Sequence, residues 1–163
     1  MPFRHAMMKI VEATKEHAQT IVRHVAALVG EIGGRAFVHD EAAATGFIRD
    51  AMAQGRYLAF LAVDESGDAV GVLTLGESVA VYAGGRFGVI LEFYVDPAVR
   101  SQGVGRMLLE QAKQTSAALN WSRLEVSAPP SLVGERAKGF YAKEGFQDIG
   151  PRLKWAAGRV SGV

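Results

Sequence analysis

The residues from Val95 to Lys113, VDPAVRSQGVGRMLLEQAK, combine the end of an apolar strand, a glycine-containing turn and an amphipathic helix. Such a turn exposes backbone N–H groups at the helix N-terminus, and these groups and the helix dipole favour a bound anion. Gly103 and Gly105 leave the backbone open to a phosphate, and Arg100 can form forked hydrogen bonds to it. The pattern indicates a pyrophosphate-binding turn, although a glycine-rich turn without a ligand fits the same residues.

Two other phosphate-binding motifs fit this sequence less well. No G-x-x-x-x-G-K-[ST] P-loop occurs in the chain. Gly103-Val104-Gly105 begins a dinucleotide-binding fingerprint, but Leu108 takes the place of its third glycine. Seven residues, Asp96–Gln102, also separate the strand from the first glycine, whereas a dinucleotide-binding fold turns at once. These mismatches disfavour a P-loop enzyme and a Rossmann-type oxidoreductase.

Glu92 interrupts the apolar run VILEFYV, Val89–Val95, which is expected to be a central strand buried on both faces. An unpaired carboxylate in such a strand is costly, so Glu92 needs either a partner or a chemical role. The role that suits it is that of a general base. An exposed position or an arginine partner would explain it without chemistry. Glu125 is the second candidate, and an exposed position on a strand explains it more simply.

The composition excludes several classes of protein. The 163 residues are 49% hydrophobic and 21% charged, as expected for one globular domain. The 18 basic and 17 acidic side chains leave a net charge of +1, which gives no electrostatic basis for binding nucleic acid or an anionic membrane. The absence of cysteine excludes disulfides, thiol catalysis and cysteine-ligated zinc. The four histidines, His5, His17, His24 and His39, lack metal-ligand spacing, so no metal site is predicted.

No apolar run approaches the length of a membrane span, and the first residues, MPFRHAMMKIVEATKEH, lack the long apolar stretch of a signal peptide. We therefore expect a cytoplasmic protein that does not bind a membrane. Residues 1–7 are expected to be a disordered lead-in, or translation begins at Met7 or Met8. Residues 8–163 are expected to form a single domain.

Hydrophobic periodicity predicts the element order β-α-α-β-β-β-α-β-α-β. The predicted strands cover residues 8–13, 57–64, 69–76, 89–95 and 123–128, with a final strand or two between 146 and 155. The predicted helices run from Thr14 to the glycines at 30, 33 and 34, from Asp40 to about Gln54, from the turn at Gly103 onward, and over 134–145. Phe47, Ile48 and Met52 are expected to form the apolar side of the second helix. This order predicts an α/β (α+β) fold with a mixed central sheet and helices on both faces.

Several motifs resemble those of one enzyme family. VDPAVRSQGVG followed by a helix resembles the R-x-x-G-x-G/A coenzyme-A motif of the GNAT (Gcn5-related) N-acetyltransferases. RLEVSA and then AKGFYAKEGF are similar to the next strand of that family and to its F-Y-x-x-x-G-F helix. The predicted element order also resembles the family's order. The motif matches run from Val89 to Phe146, and the N-terminal part agrees only in its layout.

The resemblance implies that acetyl-CoA is the co-substrate and binds where two parallel strands separate. It implies that the backbone at the end of the third long strand pairs with the pantetheine arm, and that amides of the glycine turn hold the pyrophosphate. The residues so implied are Phe93, Tyr94, Val95, Arg100, Ser101, Gln102, Gly103, Val104, Gly105 and Arg106. One position departs from the family, which often has an asparagine seven residues before the helix tyrosine. Here that position is Gly134, and two prolines precede it.

The implied reaction is acetyl transfer from acetyl-CoA to a primary amine of a small molecule or peptide, by direct attack in a ternary complex. A lysine-like amine has a pKa of about 10.4, so a base must remove its proton at neutral pH. Glu92 matches an acidic position of the family and is the candidate base. Tyr141, whose phenol is protonated at neutral pH, matches the helix tyrosine and is the candidate acid for the leaving thiolate. A backbone N–H near Val95 would polarise the acetyl carbonyl.

Other expectations concern the acceptor, the oligomer and an alternative function. In this family the acceptor pocket is usually shaped by a hairpin like GESVAVYAGGRFG and a loop like GEIGGRAFVHDE, and the pattern faintly resembles diamine and thialysine acetyltransferases. The family commonly dimerises through C-terminal strands, so PRLKWAAGRV predicts a homodimer. A non-catalytic acyl-CoA-binding sensor on the same fold is the alternative, because a fold does not fix a function.

Overall fold

Five strands and four helices make up the residues that the computed structural model describes, which are 7–33, 40–129, 132–155 and 157. The strands are β1 (Lys9–Glu12), β2 (Leu58–Val63), β3 (Ala69–Ala80), β4 (Gly85–Val95) and β5 (Leu124–Val126). The helices are α1 (Ala18–Ile32), α2 (Glu41–Ala53), α3 (Val104–Ala118) and α4 (Leu132–Lys143). Short 3₁₀ turns over Lys15–His17 and Pro97–Val99 precede α1 and α3. None of the helices in these ranges is long and apolar enough to cross a membrane.

The strands form one mixed sheet in the order β1-β2-β3-β4-β5. The first four strands pair antiparallel with their neighbours, whereas β5 pairs parallel to β4. A parallel pair needs a crossover connection, and α3 supplies it between β4 and β5. The predicted fold class, with a mixed sheet in a single domain, is therefore confirmed.

Helices cover both faces of the sheet, as the sequence predicts. Alternate side chains of β3 show the division, because Val72 packs in the core that α1 and α2 share with the sheet. Leu73 and Leu75 belong instead to the core on the α3 face, where Leu108 of α3 and Tyr141 of α4 also lie. The alternating side chains of β3 thus pack into two separate cores, one on each face of the sheet.

The helix boundaries agree with their predicted signals in part. The Asp40 side chain accepts a hydrogen bond from the Ala43 N–H at 3.0 Å, so Asp40 caps α2 as predicted. In α1, however, Gly30 lies inside the helix, and Gly33 ends it with a φ of 79°. Phe47 is 55% exposed, so it does not belong to the buried side of α2 as predicted. Ile48, predicted for the same side, is buried.

The predicted final strand is wrong for residues 146–155, which form no strand among the described residues. The Asp148 side chain accepts a hydrogen bond from the Gly150 N–H, and Gly150 has a φ of 117°, so the backbone turns there. Pro151 then lacks an N–H for a ladder. Leu153 and Trp155 are 90% and 86% exposed. The homodimer expected from this segment stays a prediction, and residues 1–6 of the predicted lead-in lie outside the described residues.

Gly88→Ala should destabilise the fold, because a Cβ at position 88 would overlap the ring of Trp121 and lie 2.7 Å from Leu124. We expect the free energy of unfolding to fall by roughly 1–3 kcal/mol, as for other overpacked cores. Urea denaturation would measure the change.

Gly46→Ala is the matched control, since Gly46 lies inside α2 and a Cβ there meets nothing within 4 Å. It should raise the free energy of unfolding by roughly 0.5–1 kcal/mol through better helix propensity. Equal stability of the two variants would contradict the close packing of Trp121 on β4.

Candidate active site

An open cleft forms where β4 and β5 part. The two strands pair at only three positions, from Gly88–Leu124 to Ile90–Val126, and β5 then ends while β4 continues to Val95. The β4 backbone beyond Ile90 therefore has no strand partner on its β5 side within the part of the chain that the structure describes. The cleft beside it has a volume of about 610 Å³. Its walls come from the end of β4, the turn before α3, one face of α4 and the last turn of α1.

A β-bulge sets the direction of the side chains on β4. Thr74 of β3 pairs with Glu92, but the next residue, Leu75, pairs with Ile90, so Leu91 is an extra residue on β4. A bulge bends its strand and changes the direction of neighbouring side chains. Leu91 is 44% exposed and covers Gly76 of β3. The bulge thus lies at the point where β4 begins to line the cleft.

Glu92 lies in the sheet and has no cationic partner among the described residues. Its Oε2 accepts hydrogen bonds from the Tyr57 hydroxyl at 2.9 Å and from the Thr74 hydroxyl. Burial and the Glu92 charge raise the pKa of Tyr57, so the phenol stays protonated and donates. No described residue pairs with Oε1, and no buried side-chain polar atom of the described chain lacks a partner, so Oε1 is accessible to solvent, and Glu92 is one of the residues that line the cleft. The arginine partner considered from the sequence is not what holds this carboxylate.

Tyr141 lies on the opposite side of the sheet from Glu92 and lines the same cleft. It is 9% exposed, and its ring packs against Phe93, Phe140 and Phe146 at centroid distances of 6.3, 5.5 and 5.4 Å. Burial raises the pKa of Tyr141, so the phenol is fully protonated at neutral pH. No described group hydrogen-bonds its hydroxyl, which is therefore accessible to solvent rather than buried. Its ring serves the core, and its hydroxyl is free to serve a ligand.

The glycine turn has the form that the sequence predicts. Ser101 and Gly103 adopt positive φ angles of 63° and 84°, and α3 begins directly after them. The first N–H of α3 that bonds inside the helix is that of Met107, which donates to the Gly103 carbonyl. The preceding N–H groups from Val104 to Arg106 are thus left for another partner. A Cβ at Gly105 would face Phe93, Val95 and Phe140, so this position borders the cleft.

The structure brings most of the predicted cofactor residues together. Gln102 and Val104 are the two whose side chains do not line the cleft, because Gln102 turns back to the Ala98 carbonyl and Val104 is buried in the core. The predicted residues that do line the cleft are Phe93, Tyr94, Val95, Arg100, Ser101, Gly103, Gly105 and Arg106.

The Arg100 guanidinium is already engaged within the protein. It donates to the Val95 carbonyl at 2.8 Å, pairs with both carboxylate oxygens of Glu31 at 2.6 and 2.7 Å, and lies 5.6 Å from the centre of the Tyr94 ring. The hydrogen bond from Arg100 lowers the pKa of Glu31. Arg100 therefore ties the glycine turn to the last turn of α1.

Sequence reasoning missed three contributors to the site besides Glu31. Tyr57 and Thr74 come next to Glu92 through strand register, which no local pattern indicates. Arg136 could have been found, because it precedes Phe140 by four residues on a helix and so shares its face. Arg136 is exposed, lines the cleft and has no ion pair with any described residue.

The structure explains two features of the sequence, the charge of Glu125 and the glycine at position 134. Glu125 is paired with Arg123 at 2.6 Å and accepts a hydrogen bond from Tyr82, and it does not line the cleft, so its charge is already satisfied. A Cβ at Gly134 would overlap the Pro129 carbonyl oxygen, so no asparagine fits there. Among the described residues no group of acidic or histidine side chains could hold a metal ion, and His5 and His39 lie outside them.

Comparison with known proteins decides the family. The model of the acetyltransferase (GNAT) domain matches residues 54–148. The chain belongs to the GNAT acetyltransferase family. This confirms the family that the motifs from Val89 to Phe146 indicate, and the match begins well before them. No curated protein matches the GNAT chain in sequence.

Solved structures share the fold of this GNAT domain over almost its whole length. A predicted acetyltransferase from Clostridium acetobutylicum, solved with acetyl-CoA, has a TM-score of 0.78 at 18% identity, covering 92% of this chain and 96% of that one. A GCN5-related N-acetyltransferase from Ralstonia eutropha has a TM-score of 0.76 at 24% identity, covering 93% and 100%. An aminoglycoside acetyltransferase from an uncultured soil metagenomic sample has a TM-score of 0.74 at 17% identity, covering 93% and 96%. At these identities the likeness concerns the fold.

Glu31→Gln should lower stability in a pH-dependent way. Because Arg100 depresses the folded-state pKa of Glu31 below its ordinary value of 4.5, the pair stabilises the protein fully above about that pH. The contribution is lost as the pH falls through the lower, folded-state pKa. Both side chains are about a third exposed, so we expect a difference of up to ~1 kcal/mol at pH 7.

The measurement is the free energy of unfolding of both proteins between pH 7 and pH 3. In an Arg100→Gln background the same Glu31→Gln change should lose most of its pH dependence. A difference that stays constant across the range would contradict the ion pair.

Proposed function

We propose that this GNAT protein is an acetyl-CoA-dependent N-acetyltransferase that acts on a primary amine of a small molecule or peptide, by direct attack in a ternary complex. The observation that carries the proposal is the cleft beside β4. It joins the unpaired amides at the start of α3 to two ionisable groups, Tyr141 and Glu92, that reach it from opposite faces of the sheet.

Different parts of the cleft would bind the pyrophosphate, the pantetheine arm and the acetyl thioester of acetyl-CoA. The N–H groups from Val104 to Arg106 would hold the pyrophosphate at the positive end of the helix dipole. Arg136, which is unpaired within the described chain, would add a cation from α4. The unpaired backbone edge of β4 would accept the amide groups of the pantetheine arm as a strand does. The acetyl thioester would lie beside the same edge, where a backbone N–H, expected from the sequence near Val95, would polarise the carbonyl.

In the proposed acetyl transfer, Glu92 acts as the base and Tyr141 as the acid. The neutral amine attacks the acetyl carbonyl, and its proton passes to Oε1 of Glu92, directly or through a water. The carbon–sulfur bond breaks, and the Tyr141 hydroxyl gives its proton to the thiolate. Solvent then returns a proton to Tyr141 and removes one from Glu92. Because the groups lie on opposite faces, donor and acceptor approach the parting of the strands from different sides.

The acceptor class stays broad in this proposal. Solved relatives at 17% identity or less include an aminoglycoside acetyltransferase and a ribosomal-protein-alanine N-acetyltransferase from Brucella melitensis, so the fold serves both small amines and protein N-termini. The test is thiol release from acetyl-CoA across a panel of aminoglycosides, polyamines, amino acids and N-terminal peptides. Acetyl-CoA binding without amine-dependent thiol release would favour the acyl-CoA sensor instead.

Gly105→Glu should abolish acetyl-CoA binding with the fold intact. The new side chain would place bulk and negative charge in the cleft between β4 and α4, against the pyrophosphate. Isothermal calorimetry would measure the affinity.

Gly105→Ala is the matched control, because a Cβ there makes only ordinary contacts of 3.6–3.8 Å. It should bind within a few-fold of wild type. Calorimetric affinity that is unchanged in Gly105→Glu would remove the glycine turn from the cofactor site.

Tyr141→Phe and Glu92→Gln should separate the acid from the base. Phe keeps the packing of the ring and removes the proton donor, so kcat should fall roughly 100-fold or more with little change in the KM for acetyl-CoA. Gln keeps the shape of Glu92 and removes its charge, so the rise of kcat/KM with pH should lose an ionisation.

A pH–rate series on wild type and both variants makes the measurement, with whichever amine the panel identifies. Wild-type rates in Tyr141→Phe would return Tyr141 to a purely structural role. An unaltered profile in Glu92→Gln would mean that another group or water takes the proton.

A further inference from the structure

Three side chains from three strands meet beside the cleft. Tyr57 directly precedes β2, Thr74 is in β3 and Glu92 is in β4. Tyr57 is buried in the core beneath α1 and α2, and Thr74 is completely buried. Both hydroxyls donate to the same atom, Oε2 of Glu92. A carboxylate that is held by two buried donors has little freedom to rotate.

Thr74 has a second hydrogen bond that fixes the direction of its hydroxyl. The Glu92 N–H donates to Thr74 Oγ1 at 3.0 Å, next to the bulge at Leu91. Because Oγ1 accepts this bond, its own proton is left to point at Oε2. Thr74 thus holds the backbone and the side chain of Glu92 together, and a valine would leave the buried N–H unsatisfied.

We propose that Tyr57 and Thr74 are positioning residues for the base: they hold Oε2 of Glu92 so that Oε1 alone faces the acceptor amine. The inference rests on the proposed N-acetyltransferase function. Neutral hydroxyls suit this task, because they orient the carboxylate without pairing its charge. An arginine partner would hold the carboxylate equally well, but it would oppose uptake of a proton.

The other charged and titratable groups of the cleft are independent of this pair of hydroxyls. Arg100 is paired with Glu31, and Arg106 lies 3.6 Å from Glu144. The remaining groups of this kind that line the cleft are Tyr94, Arg136 and Tyr141. None of them hydrogen-bonds Tyr57 or Thr74 in the structure. Removing one hydroxyl should therefore change the surroundings of Glu92 and leave the cofactor side intact.

The test compares Tyr57→Phe, Thr74→Val and Thr74→Ser with wild type. Tyr57→Phe keeps the buried ring, and Thr74→Ser keeps the hydroxyl. Thr115→Val is the control, since the Thr115 hydroxyl bonds only the Gln111 carbonyl of its own helix. Thermal unfolding and calorimetry with acetyl-CoA establish that each variant folds and binds the cofactor.

Kinetics give the first readout. In Tyr57→Phe we expect kcat/KM for the amine to fall about 10-fold, the scale of one hydrogen bond to a charged group, with the KM for acetyl-CoA unchanged. Thr74→Val should behave alike, Thr74→Ser should restore kcat/KM, and Thr115→Val should match wild type.

A second readout needs no catalysis. Carbon-13 NMR of glutamate side-chain carboxyls at about pH 7, where a carboxylate of ordinary pKa is ionised, with Glu92 assigned by Glu92→Gln, reports the surroundings of the Glu92 carboxylate in the protein without substrate. The Glu92 signal should move in Tyr57→Phe and Thr74→Val, which each remove a hydrogen bond to it, and stay in place in Thr115→Val. An unmoved signal with wild-type kinetics in Tyr57→Phe would overturn the positioning role and leave the proposed function standing. A wild type that acetylates no amine would overturn the function and the catalytic purpose of the pair, while a moved signal would still show the hydrogen bonds.

Discussion

The parting of β4 from β5 is the constraint on which the site depends. Parallel pairing begins at Gly88, where the absence of a side chain lets Trp121 and Leu124 lie against β4. It ends after three pairs, and Pro129 follows shortly after the end of β5. A longer β5 would satisfy the β4 backbone and close the cleft. The short pairing leaves that backbone free, and a free strand edge inside a protein needs a partner of its own.

The three glutamates near this region, Glu31, Glu92 and Glu125, differ in the groups that their carboxylates contact. Glu31 and Glu125 each pair with an arginine, at 2.6 Å in both cases. Each of these two carboxylates therefore already has a charge partner within the protein. Glu92 has hydroxyl donors on one oxygen and no described partner at the other, and it lines the cleft. That difference, rather than burial, separates the candidate base from its neighbours.

The sequence predicted the sheet, the helices and the glycine turn because each has a local signal. Apolar runs bounded by turn residues marked the strands, and Asp40 and Gly103 marked helix ends. The bulge at Leu91 has no such signal, since it depends on register with β3. The approach of Tyr57 and Thr74 to Glu92 depends on the same register. β4 also begins earlier than predicted, at Gly85, because its glycines read as a loop although they pair with β3.

The end of the cleft that is proposed to bind the pyrophosphate lacks the asparagine that the family motif implies. We propose that Arg136 of α4 contributes to binding in its place. The Pro129 carbonyl fills the space beside Gly134, so the usual asparagine has no room. Arg100 and Arg106 line the cleft but are each paired with a glutamate, Glu31 and Glu144. Among the cleft-lining residues that the structure describes, Arg136 is the arginine without an ion pair. We therefore propose that an anion at the start of α3 is bound by the helix amides and by Arg136, so that α4 would contribute to the proposed cofactor site through both Arg136 and Tyr141.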